Sequence, residues 1–289
     1  MANELLIKNG HVIDPVNGID CKCDVLISDN LVSQVGRIDA AVADLVERVI
    51  DAEGKLVVPG LIDMHVHFRE PGDEEEETIA SGSAAAVAGG FTSVVCMPNT
   101  EPTIQSETDV EYVHRKGRQA RMSHVYVMGA ITRNRAGVEL AEMGFMSEAG
   151  AVGFTDDGNG VQDPSLMLRA LKYAKMFDKV VCQHCQDDHY VGGGVMNACY
   201  NSTVLGLPGM DGLAEEAMLW RDIQLVKKPN VRYHAQHLST AGSIEIMRAA
   251  KTESLSVSCE VTPHHLLLTE QHCVDYDTNY KVNPPLRGV

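Results

Sequence analysis

Short apolar runs separated by turn residues fill about the first 55 residues, which is the pattern of a small β unit. Residues 5–7 and 11–13 flank Asn9-Gly10, which predicts a hairpin because both turn positions need positive φ. Asp29-Asn30 lies between apolar residues 25–27 and 31–32 and predicts a second hairpin. We therefore predict a small β-sandwich-like domain, or its N-terminal half, over residues 1–58.

After Pro59-Gly60 the pattern changes to apolar strands that alternate with helical segments. The apolar runs cover residues 61–68, 91–97, 124–131, 151–155, 179–184, 231–237 and 255–262. The clearest helical periodicity lies in residues 78–88, 166–177 and 212–226. Strands that are apolar throughout are typical of a parallel sheet covered on both faces. The series predicts an α/β fold, a TIM-like (β/α)8 barrel of which residues 59–289 supply strands one to seven, with the eighth strand–helix unit missing. Residues 190–208 are predicted to form a long loop at its mouth.

Composition narrows the classes of function. The chain has 289 residues, is 44% hydrophobic and carries a net charge of −16. That charge argues against nucleic acid or an anionic membrane as a partner, although a local arginine could still bind an anionic substrate. Eight cysteines, no recognisable signal peptide and no apolar run of about 20 residues predict a cytoplasmic protein with reduced thiols.

A His-x-His motif ends the first barrel strand. Because residues two apart on a strand face the same side, His65 and His67 should both point into the barrel at its C-terminal end. Buried imidazoles need polar partners, and a divalent metal supplies one to each. The alternative is a pair of ordinary buried histidines, which the position at the end of an interior strand disfavours.

Later strands end in further candidate ligands. His184 and His237 each end a strand, and Asp156-Asp157 follows the fourth strand. Strand ends converge at one rim of a barrel, which is where barrel active sites lie. Four histidines and a carboxylate suit zinc, with manganese or cobalt as rivals. By strand parity His234 should face away from the site.

Three polar residues near the same rim are candidates for substrate binding. Arg69 offers a planar fork that matches a carboxylate, although it could instead pair with Glu70. Asn99 ends the second strand and could donate its amide to substrate or serve as a turn residue. Asn283 is also close to a strand end, but pattern alone does not assign it a role.

The motifs together resemble those of the amidohydrolase superfamily. Residues 59–67, Pro-Gly-Leu-Ile-Asp-Met-His-Val-His, are similar to its opening signature, and residues 68–72 narrow the resemblance to dihydroorotases, hydantoinases and allantoinases. The motifs most similar to dihydroorotases lie at residues 89–92, 97–100, 153–158, 184–185, 237–239, 261–265 and 283–287.

The resemblance implies zinc-dependent, reversible hydrolysis of dihydroorotate to N-carbamoyl aspartate in pyrimidine biosynthesis. By position it implies one zinc ion on His65 and His67, a second on His184 and His237, and Asp157, in preference to Asp156, as the bridge; one ion or two remains open. It implies that His67, Arg69, Asn99 and Asn283 bind the substrate. We also expect a homodimer, with association with aspartate transcarbamoylase as a further option.

The chain departs from the family pattern in two places. Gln186 stands where similar enzymes often have glutamate, which we expect to matter little. The aspartate that serves relatives as general base, at the end of strand eight, has no counterpart before Val289. We therefore assign no general base within residues 1–289, interpret the chain as C-terminally truncated and expect it to have little activity alone.

Two other functions stay open. A hydantoinase or allantoinase would usually bridge its metals with a carboxylated lysine, but no lysine lies near the end of strand four. A catalytically inactive homologue that scaffolds aspartate transcarbamoylase would usually lack the metal histidines, which this chain retains.

Overall fold

The structure is a computed structural model that describes residues 4–288. The chain divides between Leu61 and Ile62 into two compact units. No helix in the described part of the chain is long and apolar enough to cross a lipid bilayer. All eight cysteines are free thiols.

The first unit is a five-stranded sheet with one short helix. Its strands are β1 (Glu4–Asp14), β2 (Ile19–Ser28), β3 (Leu31–Gly36), β4 (Arg48–Asp51) and β5 (Leu56–Val57), and its helix is α1 (Ala40–Ala43). The order is β3-β2-β1-β4, and β5 also pairs with β1. Leu6, Leu26, Ile38 and Val46 form its buried core.

One of the two predicted hairpins in this unit is wrong. Residues 5–7 and 11–13 belong to the single strand β1, and Asn9 (φ 62°) lies at a register shift between Ile7 and Gly10. The positive φ that the Asn-Gly pair favours therefore produces a β-bulge instead of a turn. The second hairpin is confirmed, because Asp29 (φ 51°) and Asn30 (φ 65°) join the antiparallel strands β2 and β3.

The second unit is built on a seven-stranded sheet. Its strands are β6 (Leu61–Val66), β7 (Phe91–Cys96), β8 (His124–Gly129), β9 (Gly153–Phe154), β10 (Val180–Gln183), β13 (Tyr233–Ala235) and β14 (Val257–Cys259). The order is β14-β13-β10-β9-β8-β7-β6, and the pairs from β7 to β14 run parallel. Each predicted apolar run contains one of these strands, so the parallel α/β architecture is confirmed.

Helices connect these strands, as parallel pairing requires. The crossovers contain α2 (Ile79–Ala88), α3 (Glu107–Ala120), α4 (Met143–Glu148), α5 (Pro164–Met176), α8 (Leu213–Lys227) and α9 (Ala241–Thr252). Along β7, Val94 and Cys96 belong to the large core that includes the helices, whereas Val95 and Met97 belong to a separate cluster. This alternation shows that β7 has apolar neighbours on both of its faces, as its continuous apolar run predicted.

The predicted long loop at residues 190–208 is partly ordered into regular elements. The segment between β10 and α8 contains α6 (Asp188–Val191), β11 (Met196–Asn197), α7 (Tyr200–Leu205) and β12 (Gly209–Met210), and β11 pairs with β12. After β14 come α10 (Pro263–Leu267) and two 3-10 turns, Glu270–Cys273 and Thr278–Tyr280.

Candidate metal centre

The candidate metal ligands converge at the C-terminal ends of the strands of the second unit. His65 lies within β6 and His67 just beyond it, while Asp157, His184 and His237 follow β9, β10 and β13. The carboxyl ends of parallel strands meet at one edge of a sheet, so residues distant in sequence come together there. Asp157, His184 and His237 are each buried, with at most 7% of their surface exposed.

The carboxylate of Asp157 lies at the centre of this group. Its Oδ2 is 3.4 Å from Nε2 of both His65 and His67, and these two nitrogens are 3.2 Å apart. Its Oδ1 is 3.4 Å from Nε2 of His237, which in turn is 3.0 Å from Nδ1 of His184. The two carboxylate oxygens thus face two different pairs of imidazoles.

These separations fit a coordinated cation. Zinc bound at about 2.0–2.1 Å in a tetrahedron has ligand atoms about 3.3–3.4 Å apart. His65 Nε2, His67 Nε2 and Asp157 Oδ2 form a triangle with edges of 3.2, 3.4 and 3.4 Å, close to one face of such a tetrahedron. Ligand atoms of His65, Asp157 and His237 also lie within 4.8 Å of one another. The geometry therefore fits one or two divalent cations held around Asp157.

The outer nitrogens of three histidines are held by oxygen acceptors. Nδ1 of His65 donates to Oε1 of Glu260 at 2.5 Å, and Nδ1 of His67 donates to Oδ1 of Asn99 at 2.9 Å. In the same way, Nε2 of His184 donates to Oε1 of Gln186 at 3.1 Å. Each bond occupies the outer nitrogen of its ring, so the other ring nitrogen faces the centre and is the one available to a cation.

His237 differs from the other three imidazoles. Its Nδ1 is buried without a hydrogen-bond partner among the described residues. Its backbone has a φ of 32°, in the left-handed region, two residues beyond the end of β13. This departure from strand geometry turns the side chain to the rim, where Nε2 meets Asp157.

The prediction for His234 is wrong. It was expected to face away from the site, but it is buried, and its Nε2 lies 3.2 Å from Oε2 of Glu260. The prediction assumed that His234 and His237 lie on the same strand, where residues three apart face opposite sides. Because β13 ends at Ala235, parity holds for His234 and Gln236 but not for His237.

Electrostatic coupling in the group is strong. Burial alone would lower the pKa of His65, but the hydrogen bonds and negative charges of Asp157 and Glu260 raise it to about 10. Burial opposes ionisation of Asp157, yet hydrogen bonds with His237 and His65 hold its pKa well below the usual range. Burial lowers the pKa of His184 to about 4 and also lowers that of His67. A pKa of about 4 makes His184 neutral near pH 7, which is the form of imidazole that binds a metal.

Asp156 and Asp157 have different environments. Oδ1 of Asp156 accepts the backbone N–H groups of Ile131 and Thr132, both at 2.9 Å, and Oδ2 accepts the hydroxyl of Thr132. Burial raises the pKa of Asp156 to about 6 despite these hydrogen bonds. Both oxygens of Asp156 are therefore hydrogen-bonded to the loop after β8. Asp157 is the carboxylate that faces the imidazoles.

A cavity of about 880 Å³ opens beside the histidines. His65, His67 and His237 line it, together with Arg69 and Asn283. The volume is in the range of small-molecule sites. Three of the four predicted substrate-binding residues, His67, Arg69 and Asn283, therefore line this cavity.

The predicted substrate-binding residues have distinct partners. Arg69 does not pair with Glu70; its Nε lies 3.4 Å from Oε2 of Glu76. Glu70 is instead buried against Lys116, at 2.6 Å. Asn99 accepts a hydrogen bond from Nδ1 of His67 and so orients that ring, a role that differs from the predicted substrate contact or turn position. Asn283 donates from Nδ2 to Oε1 of Gln186 at 3.3 Å, which links it to the partner of His184.

Glu260 is the main site residue that the sequence reasoning missed. It follows β14 directly, so it occupies the same rim as the histidines. A charged residue inside the apolar run 255–262 was the available signal. Gln186 was noticed as a departure but its contact with His184 was not expected.

The second unit and the sheet before it have the fold of known cyclic amidases. The chain aligns along its whole length with L-hydantoinase (dihydropyrimidinase) from Arthrobacter aurescens, with a TM-score of 0.84 and 23% identity over 64% of that chain. Dihydropyrimidinase from Brevibacillus agri matches 98% of this chain and 63% of its own, with a TM-score of 0.78 and 22% identity. At these identities the likeness establishes the fold alone.

Sequence comparison gives the family. Residues 54–243 match the family described as "Dihydro-orotase-like". A dihydroorotase of Pelotomaculum thermopropionicum is 50% identical over 286 residues, 99% of this chain and 66% of that protein. A dihydroorotase of Syntrophotalea carbinolica is 49% identical over 284 residues, 98% of this chain and 66% of that protein. The chain belongs to the dihydroorotase-like family and spans about two thirds of the length of these relatives.

Proposed function

We propose that this chain carries the metal-binding core of a dihydroorotase, which hydrolyses the ring amide of dihydroorotate to N-carbamoyl aspartate in pyrimidine synthesis. The observation that carries the proposal is the convergence of four imidazoles on the Asp157 carboxylate at 3.4 Å or through one another. Family membership supports the choice of reaction, because relatives of 49 and 50% identity are named dihydroorotases.

The donor set favours zinc. Imidazole nitrogens with one carboxylate suit zinc, whereas magnesium and calcium prefer all-oxygen sites. We assign His65, His67 and Asp157 to one cation and His184, His237 and Asp157 to a second. When bound, such cations polarise the scissile carbonyl and activate water for attack on it.

The protein's own residues would position the substrate. Arg69 lines the cavity beside His67, and its present partner Glu76 is 63% exposed, so a substrate carboxylate can replace it at small cost. A guanidinium binds a carboxylate through two parallel hydrogen bonds, which fixes the ring relative to the histidines. Asn283, across the same cavity, is suited to hydrogen-bond the ring amide.

We further infer that the sheet belongs to a closed (β/α)8 barrel. β6 and β14 are its two edge strands, and Ile62 (65%) and Met64 (48%) on β6 are exposed although they are apolar. An eighth strand between β14 and β6 would cover them.

The decisive experiment measures two properties separately: the binding of dihydroorotate against hydantoin, and the hydrolysis of each compound. Zinc-loaded protein is titrated with dihydroorotate and with hydantoin, a ring without a carboxylate, by isothermal titration calorimetry. The protein expressed from its whole reading frame is then assayed for ring opening of both compounds. We expect binding and hydrolysis of dihydroorotate. Hydrolysis of hydantoin alone would assign a hydantoinase, and intact zinc binding without turnover of either compound would assign an inactive homologue.

A further inference from the structure

A partly buried carboxylate outside the proposed ligand set connects two histidines. Glu260 follows β14, and its side chain is only 17% exposed. Oε1 accepts from Nδ1 of His65 at 2.5 Å, and Oε2 lies 3.2 Å from Nε2 of His234. The backbone N–H of His237 donates to Oε1 at 3.3 Å. Each oxygen of Glu260 is therefore occupied by a group fixed in the sheet.

His234 holds the far side of this carboxylate. Its Nδ1 lies 2.8 Å from the hydroxyl of Ser258, which can donate to it. Nε2 of His234 can then donate to Oε2 of Glu260, so His234 holds the oxygen of the carboxylate that His65 does not contact. His234 and Ser258 lie opposite each other on β13 and β14, which fixes this contact through the strand register.

Glu260 is on the opposite side of the His65 ring from Asp157. It contacts Nδ1, whereas Nε2 is the nitrogen that lies 3.4 Å from the Asp157 carboxylate. Nε2 of Gln236 is 3.3 Å from the same Nδ1, but the shorter contact with a carboxylate decides where the proton lies. Glu260 thus cannot share a cation with Asp157, yet it determines which nitrogen of His65 has a free lone pair.

The three outer acceptors are not equivalent. His67 and His184 bond to the neutral amides of Asn99 and Gln186, whereas His65 bonds to a carboxylate. A carboxylate partner makes a ligating imidazole more basic and fixes its orientation more strongly than an amide does. His65 should therefore be the strongest histidine donor of the group.

We propose that Glu260, held by His234, is the positioning residue for His65, and that it sets the affinity of the cation shared by His65, His67 and Asp157. This inference rests on the metal site of the proposed function. Removal of such outer partners typically weakens metal binding about 10- to 100-fold.

The test measures zinc affinity, not activity. Competition with a chromophoric chelator gives the affinity of each site, and the visible spectrum of Co²⁺-substituted protein reports the ligand geometry. The variants are Glu260→Gln, which keeps an acceptor but removes the charge, and Glu260→Ala, which removes both. Glu270→Gln is the matched control, because Glu270 is also buried but accepts from Asn197 and Asn201. Circular dichroism verifies that each variant folds.

We expect Glu260→Ala to weaken zinc binding at one site at least tenfold and to change the Co²⁺ spectrum. Glu260→Gln should weaken zinc binding at the same site by a smaller factor. Glu270→Gln should change neither the zinc affinity nor the spectrum. The variant His65→Asn distinguishes a failure of the proposed metal site from a failure of the proposed role of Glu260. If His65→Asn loses zinc but both Glu260 variants bind it as the parent does, the role of Glu260 is wrong. If His65→Asn binds zinc normally, the metal site itself is wrong.

Discussion

Nε2 of His65 and Nε2 of His67 lie 3.2 Å apart, with Oδ2 of Asp157 3.4 Å from each. The outer nitrogens of the two rings face Glu260 and Asn99, so both Nε2 atoms face the same oxygen of Asp157. Without a cation, the carboxylates of Asp157 and Glu260 raise the pKa of His65 and favour its protonated form, and a cation bound between these ligand atoms would take the place of the Nε2 proton. The predictions below follow from this arrangement.

Asp157→Asn should abolish high-affinity zinc binding, because a neutral amide replaces the carboxylate that lies 3.4 Å from the imidazoles of His65, His67 and His237. Zinc content after dialysis, measured by inductively coupled plasma mass spectrometry, reports the effect. Asp156→Asn is the matched control. It should retain zinc but destabilise the fold by about 1–3 kcal/mol, since Asp156 accepts two buried backbone N–H groups. Loss of zinc in Asp156→Asn alone would exchange the roles of the two residues.

Arg69→Ala should weaken dihydroorotate binding at least tenfold while zinc content stays at the parent level. The guanidinium is proposed to bind the substrate carboxylate, and a charge-assisted hydrogen bond contributes about 1.5–3 kcal/mol. Arg133→Ala, which removes an arginine whose side chain is 54% exposed and lies near Glu139, serves as the control. Titration calorimetry measures both affinities. A loss of zinc in Arg69→Ala would instead make Arg69 a structural neighbour of the metal site.

Glu70→Gln should lower the free energy of unfolding by about 1–3 kcal/mol at pH 7. Glu70 is buried, accepts the N–H of Ile79 at 2.8 Å and the hydroxyl of Tyr112 at 3.1 Å, and pairs with Lys116. Burial raises the pKa of Glu70, but the bonds to Lys116, Ile79 and Tyr112 outweigh it and lower the pKa overall.

The pH dependence of this effect has a definite sign. Because the folded pKa is depressed, the stabilisation is complete above the ordinary value near 4.5 and is lost as pH falls through the lower folded value. Urea denaturation of parent and Glu70→Gln between pH 7 and pH 3 should show the two stabilities converging at low pH. A difference that grows as the pH falls would contradict this explanation.

Much of the fold and part of the site could be predicted from the sequence. The apolar runs identified every strand of the seven-stranded sheet, because parallel strands covered on both faces leave a continuous apolar signal. Strand parity placed His65 and His67 together because β6 is regular up to Val66. The hairpin predicted at Asn9-Gly10 was wrong, because a residue with positive φ occurs in β-bulges as well as in turns.

The remaining site features depend on three-dimensional contacts that pattern does not contain. His237 reaches the centre through a backbone with φ of 32°, which no periodicity predicts. Glu260 meets His65 across 195 residues of sequence, and the contact exists only because β14 and β6 bring the two side chains together. Gln186 was predicted to be a minor substitution, but its side chain contacts both His184 and Asn283.

Crystallography with anomalous data collected on both sides of the zinc absorption edge tests the metal centre most directly. We expect at least one zinc peak at about 2.0–2.2 Å from an Asp157 carboxylate oxygen and from Nε2 of His65. A second peak near His184 and His237 would establish a two-metal site. Zinc bound elsewhere in fully loaded protein, with these imidazoles turned away from Asp157, would contradict the proposed hydrolase centre.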